Sequence, residues 1–177
     1  MTLKRHGRWN VVALALAGLL ACGASSTPAL GQEPAPSPPP TPPLGPAKGE
    51  VLAPFDAEGV DGSMYHVDYP KGTTTILLFF LSSCPHCQKM LPEWGRMYQQ
   101  RRDSQKILGV IMDRETPGFF TATQIPFQVV RAPSPTFLRS YKISKVPVTL
   151  RVGAGGKVED LAVGIVDGIR LGELFRP

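Results

Sequence analysis

Thr73-Thr74-Thr75-Ile76-Leu77-Leu78-Phe79-Phe80-Leu81-Ser82-Ser83-Cys84-Pro85-His86-Cys87 is the stretch on which the reading of this chain turns. Residues 73–81 are β-branched or apolar without a break, the pattern of a buried strand. Gln88 to Arg102 reads as a helix. The cysteines therefore fall at a strand-to-helix turn, with Cys84 near the N-cap. Pro85 takes the first helical position, where a missing N–H costs nothing. Free N–H groups and the positive end of the helix dipole face the first sulfur and favour its thiolate. A second cysteine three residues on can close a disulfide with it.

A bare Cys-x-x-Cys is ambiguous between redox chemistry, half a zinc site and coincidence. Zinc needs two more Cys or His ligands at matching spacing. Only Cys22, His6 and His66 remain, and the first and second lie in a leader. Context therefore favours a redox-active Cys84–Cys87 disulfide with no metal and no further cofactor. Thiolates are also soft ligands that suit copper(I). An envelope copper-binding or metallochaperone module is the alternative, with His66 as third ligand if the fold brings it close.

Upstream of this stretch the chain is not globular. Met1 to Asn10 carries Lys4, Arg5 and Arg8, and Val11 to Ala21 is a continuous run of apolar residues and Gly. These are the charged and apolar regions of a secretory signal. The run is too short to span a bilayer comfortably. Residues 1–21 read as a lipoprotein-type signal, since Leu19-Leu20-Ala21-Cys22 resembles a bacterial lipobox in which Cys22 becomes lipidated. Ala29-Leu30-Gly31 offers ordinary cleavage after residue 31 as the alternative. Residues 22–49 form a tether rich in proline, a residue the chain holds 19 times, mostly between Pro28 and Pro54. Such a segment has little to bury and favours extended polyproline II. At ~3.1 Å per residue its proline-rich part reaches roughly 50 Å.

The formal charge is +5. Three of those charges are Lys4, Arg5 and Arg8, so the basic balance is largely a property of the leader. No basic stripe points to nucleic acid. Either cleavage leaves Cys84 and Cys87 as the two unmodified cysteines, with none spare for a structural disulfide. In an oxidising compartment such a pair closes readily, and its function depends on its potential.

Residues 50–177 read as one α/β domain. Asp56 to Ser63 is turn chemistry, and Met64 to Val67 pairs back as a hairpin strand. Gln105 to Asp113 is a second buried strand, Thr116 to Thr123 a short helix, Phe127 to Val130 a short strand and Pro135 to Tyr141 helical. Pro147 to Val152 alternates as a strand. It turns at Gly153-Ala154-Gly155-Gly156 and returns over Lys157 to Val163. Asp167 caps a closing helix that runs to Phe175. Strands alternating with helices and followed by a hairpin indicate a central sheet of mixed direction flanked by helices.

Residues 50 to 177 resemble the thioredoxin superfamily, most nearly its envelope-tethered TlpA/ResA-like branch. The resemblance rests on Cys84-Pro85-His86-Cys87 at the strand-to-helix turn, on Pro92 five residues past Cys87, and on Lys145-Val146-Pro147-Val148-Thr149. The resemblance implies a thioredoxin-like fold and thiol–disulfide exchange with protein substrates. It implies Cys84 as nucleophile, Cys87 as resolving thiol, and a cis Val146–Pro147 bond beside the sulfurs holding the substrate backbone. It also implies a membrane or periplasmic thiol redox partner and a place in the bacterial periplasm or cell envelope, on a lipid anchor or soluble. Pro85-His86 is the dipeptide of DsbA-type oxidants. From there His86 can donate a hydrogen bond or positive charge to the Cys84 thiolate and make the disulfide more oxidising.

The sequence departs from that branch at three places. Leu78 stands where thioredoxin has a buried acid, Met90 where many TlpA/ResA-like reductases have a glutamate, and Ser83 where the usual tryptophan precedes the first cysteine. Glu93 is expected to face solvent. The group serving the buried thiol's proton is left unassigned, and the direction of electron flow stays open between reduction and oxidation or isomerisation.

Overall fold

The long apolar run becomes the centre of a sheet. The computed structural model describes residues 43–176. The leader, Cys22 and most of the proline-rich tether lie outside the described residues. Among the described residues, seven strands and four α-helices follow in the order β1 Phe55–Glu58, β2 Met64–Val67, β3 Thr74–Phe80, α1 Pro85–Gln99, β4 Gln105–Ile111, α2 Phe119–Thr123, β5 Gln128–Arg131, α3 Pro135–Ser140, β6 Val148–Val152, β7 Val158–Val163 and α4 Gly168–Leu174.

Five strands form a mixed sheet in the order β5-β4-β3-β6-β7, with β3 at its centre. Strand β3 runs parallel to β4 and antiparallel to β6. Side chains alternate across a strand, and both faces of this one are covered. Ile76, Leu78 and Phe80 point into a core shared with α1, α2 and α4, among Met90, Trp94, Phe119 and Leu171. Leu77 and Phe79 point into a second core with Phe137, Tyr141 and Val67. All five of these β3 residues are fully buried. Two-sided burial is why no polar residue interrupts the run. Each such side chain contributes roughly 1.5–3 kcal/mol of transfer free energy.

Helix α1 begins as its sequence predicts. Cys84 is the N-cap, Pro85 opens the helix, and Pro92 lies inside it. Pro92 is exposed, while Met90, Leu91 and Trp94 bury the opposite face. Trp94 is fully enclosed, and its indole N–H donates to Thr149 Oγ1 on β6 at 3.0 Å. Asp167 caps α4, its carboxylate accepting from the Arg170 N–H at 2.8 Å.

Two expectations shift. The segment Asp56 to Ser63 is not all turn, since β1 occupies Phe55–Glu58 and pairs antiparallel with β2. Only Ala57 of β1 is buried, so its sequence lacks the apolar weight of a strand and is set by its pairing. The helix after the cysteines also ends three residues before Arg102, at Gln99, with Gln100 as its C-cap.

An arm ahead of β1 fastens to the outer edge of β7. The Gly49 N–H donates to the Val158 carbonyl at 2.7 Å and the Val158 N–H to the Glu50 carbonyl at 2.8 Å. Glu50 also pairs with Lys142 at 2.8 Å. Gly156 sits at φ +82°, where a Cβ would stand 2.1 Å from the Leu52 carbonyl oxygen. Glycine is therefore required for the arm to lie this close.

Candidate active site

The two cysteines stand at the C-terminal end of β3, where the chain turns into α1. Both are free thiols. Cys84 is partly exposed and Cys87 is fully buried. The Cys84 sulfur accepts from the Cys87 N–H at 3.4 Å, so a free amide of the first helical turn points at it. Cys87 packs among Leu78, Phe80, Met90 and Trp94 in the core beneath α1. Loss of solvation there is the main reason its thiol is pushed up to about 12. The Cys84 sulfur and the charge of Asp113 add to the rise, and a backbone hydrogen bond from Leu81 opposes it.

The apolar substitutions noted in the sequence are thus part of the site. Leu78 and Met90 lie in the same core as Cys87, and both are buried. Glu93 is half exposed and pairs with Arg96 at 2.8 Å, as its expected solvent position implied. His86 is exposed, and among the described residues it makes no hydrogen bond to either sulfur. His66 is placed elsewhere. It lies on β2, where its Nδ1 pairs with Asp56 at 2.7 Å. Among the described residues no group of three or more His, Cys, Asp or Glu side chains is arranged to hold a metal ion.

The Val146–Pro147 peptide bond is cis. Val146 is half-buried, and it packs against the core that holds Cys84 and Cys87. Pro147 is buried, and its carbonyl accepts from the Gly164 N–H at 2.7 Å. The register of β6 pairs Val148 with Phe79, so the cis bond lies at the same end of the sheet as the turn that carries the cysteines.

One residue of the site was missed by sequence reasoning. Asp113 follows β4, and the parallel register sets Ile111 beside Phe80, so the ends of β3 and β4 meet. Its Oδ1 accepts from the Ser82 N–H at 2.9 Å. Its Oδ2 accepts from the Ser82 hydroxyl at 3.0 Å, the Ser83 hydroxyl at 3.2 Å and the Ser83 N–H at 3.3 Å. A carboxylate immediately after a buried strand, facing a Ser-Ser pair before the cysteines, was the available signal.

A five-stranded mixed sheet flanked by helices, with a Cys-x-x-Cys at the end of its central strand and a cis-proline segment alongside, defines a thioredoxin-like fold. The chain belongs to the AhpC/TSA family, whose model matches residues 49–161. Sporulation thiol-disulfide oxidoreductase A of Bacillus subtilis is 28% identical over 101 residues, which is 53% of this chain and 61% of that protein. The chain thus matches somewhat less than two thirds of the length of that curated relative. The crystal structure of StoA from Bacillus subtilis superposes with a TM-score of 0.62 at 26% identity, covering 71% of this chain and 98% of that one. The exposed lipoprotein thioredoxin Etrx1 of Streptococcus pneumoniae has the same fold, with a TM-score of 0.61 at 23% identity over 69% of this chain and 98% of its own.

Proposed function

We propose that this protein is a thiol–disulfide oxidoreductase of the bacterial cell envelope that reduces disulfides of protein substrates. The observation that carries the reading is the asymmetry of the pair. Cys84 is a part-exposed N-cap sulfur facing a free amide, and Cys87 is fully buried behind it. A partly exposed, helix-activated sulfur is suited to attack, and a buried one to resolve. The relative from Bacillus subtilis, named as a thiol-disulfide oxidoreductase, supports the same chemistry.

The cycle balances on two electrons. The Cys84 thiolate attacks one sulfur of a client disulfide. The client S–S bond breaks, a mixed disulfide forms, and the departing client sulfur takes up a proton. Cys87 then gives up its proton and attacks the Cys84 sulfur. That step releases the second client sulfur, which is protonated, and leaves a Cys84–Cys87 disulfide. The client is reduced and the protein oxidised. A membrane or periplasmic thiol partner returns the two electrons. The redox-active disulfide is the only reactive group this cycle uses. Val146 and Pro147 hold the client backbone, and the leader with lipidated Cys22 and the proline-rich tether keep the domain at the membrane.

The oxidative reading of Pro85-His86 rests on His86 assisting the Cys84 thiolate. His86 is exposed and makes no hydrogen bond to either sulfur among the described residues, which favours the reductive direction.

The test is turnover of a protein disulfide by the wild type, Cys84→Ser and Cys87→Ser. The wild type is expected to turn over. Cys84→Ser is expected to be inactive, and Cys87→Ser to accumulate a mixed disulfide seen by non-reducing electrophoresis. A Cys84→Ser protein that still turned over would rule out the assignment. Equilibration with a glutathione buffer gives the direction. A potential well below the oxidising envelope poise fits a reductase, and one near or above it overturns that direction.

A further inference from the structure

The Ser82–Ser83 turn is built more firmly than a connecting loop requires. Ser82 is almost wholly buried. Its hydroxyl donates to Asp113 and accepts from the Thr116 N–H at 3.3 Å. Its carbonyl accepts from the Gln88 side-chain amide at 2.8 Å, which ties the turn to the first turns of α1. Ser83 gives both its N–H and its hydroxyl to the same carboxylate. Four donors therefore converge on Asp113 from the two residues that precede Cys84. A carboxylate can accept about that many hydrogen bonds, so its capacity is used on this turn. Charge-assisted bonds are also the stronger kind.

The same carboxylate is bonded to both residues that lead into Cys84, whose sulfur accepts from the Cys87 N–H at 3.4 Å, so its charge stands close to the dithiol and adds to the rise of Cys87. Around that thiol, α1 carries His86 and Lys89, both exposed, and Glu93, which is paired with Arg96. Ahead of Pro147 stands exposed Lys145. Beyond Asp113, Arg114 is exposed and Glu115 is paired with Arg131. The acids of this fold's usual positions are Leu78 and Met90, which carry no charge. Asp113 reaches the site from the neighbouring strand instead.

We propose that Asp113 is the acidic positioning residue of the dithiol, fixing through Ser82 and Ser83 the turn that presents Cys84 at the N-cap and setting the charge that Cys87 meets as it ionises to resolve a mixed disulfide. This rests on the assignment of Cys84 and Cys87 given above. Asp113 is hydrogen-bonded to Ser82 and Ser83 and to neither sulfur among the described residues, and it acts through the turn and through its field. A negative charge beside a thiol disfavours the thiolate, so its removal eases ionisation of Cys87.

The experiment uses the full chain loaded at Cys84 as a mixed disulfide with thionitrobenzoate, whose release by Cys87 is read by absorbance across pH. Asp113→Asn retains an oxygen acceptor but removes the charge, and Asp113→Ala removes both. Glu115→Gln, which deletes a neighbouring carboxylate outside the turn, is the control. For Asp113→Asn, the release profile is expected to move to lower pH, with release at neutral pH faster by roughly two- to tenfold. For Asp113→Ala, attack of Cys84 on the starting aromatic disulfide is expected to slow about tenfold, with Asp113→Asn recovering part of that loss. Glu115→Gln leaves both profiles in place. An unmoved release profile in Asp113→Asn overturns the proposal, and this variant decides it even if Asp113→Ala fails to fold. A shifted profile in a protein that reduces no protein disulfide would sink the client assignment and leave the role of Asp113 standing. Client turnover with unmoved profiles would do the reverse.

Discussion

Alkylation of Cys87 in a Cys84→Ser protein probes the asymmetry of the pair directly. The substitution removes the competing thiol and keeps an oxygen that can accept from the Cys87 N–H. The largest cause of the raised Cys87 thiol is burial, which the substitution leaves in place. Against an ordinary value of 9.0, a thiol near 12 holds about two to three orders of magnitude less thiolate at neutral pH. That corresponds to roughly 3–4 kcal/mol between the two protonation states. Since the thiolate is the reacting form, iodoacetamide at pH 8 should label native Cys87 at least a hundredfold more slowly than the same chain in urea. Lack of accessible surface lowers the rate further. The readout is mass spectrometry of quenched time points, with the single remaining domain cysteine as its own internal standard. A native rate within tenfold of the denatured rate would refute the burial argument, and with it the assignment of Cys87 as the sheltered, resolving sulfur.

Three further outcomes follow from the packing. Trp94→Phe keeps a ring in the core but leaves the buried Thr149 hydroxyl without its donor, so urea unfolding is expected to show a loss of about 1–2 kcal/mol. No loss would mean that the indole bond contributes nothing. Asp167→Ala removes the cap of α4 and should cost about 0.5–2 kcal/mol by the same assay, with unchanged stability counting against the cap. Hydrogen bonding to Arg131 holds the Glu115 carboxyl well below its ordinary 4.5, at about 2. A depressed carboxyl stabilises the fold above the unfolded value and loses that contribution as pH falls through the folded one. Glu115→Gln should therefore lower stability by roughly 0.5–1 kcal/mol at neutral pH, the pair being partly solvated, and flatten the acid limb between about pH 4.5 and 2. An acid limb identical to that of the wild type would contradict the pairing.

What the sequence disclosed, it disclosed through local pattern. The run Ile76 to Phe80 is legible because burial on both faces leaves no alternation to misread. Cys84 and Pro85 are legible as a helix start because capping and the missing proline N–H act within one turn. Strand β1 was illegible for the opposite reason. Phe55-Asp56-Ala57-Glu58 has no strand composition of its own and is held by its register with β2. Asp113 could not be assigned because its place depends on a parallel pairing across residues 80 and 111, which no local window contains. His86, from which the dipeptide shared with DsbA-type oxidants implied a hydrogen bond or positive charge to Cys84, has an exposed side chain and makes no hydrogen bond to either sulfur among the described residues.

The arm that closes the edge of β7 also defines a path for mechanical load. Tension entering from the N-terminal side meets first the bond from the Ser144 hydroxyl to the Pro43 carbonyl. It then meets the pairing of Gly49 and Glu50 with Val158 and the bond from the Leu52 N–H to the Gly156 carbonyl. The Gly156 and Val158 anchors lie at β7 and the turn before it, and β6 separates that strand from β3. A pull that reaches them is therefore borne at the edge strand of the sheet, one strand removed from β3 and the turn to Cys84 that follows it.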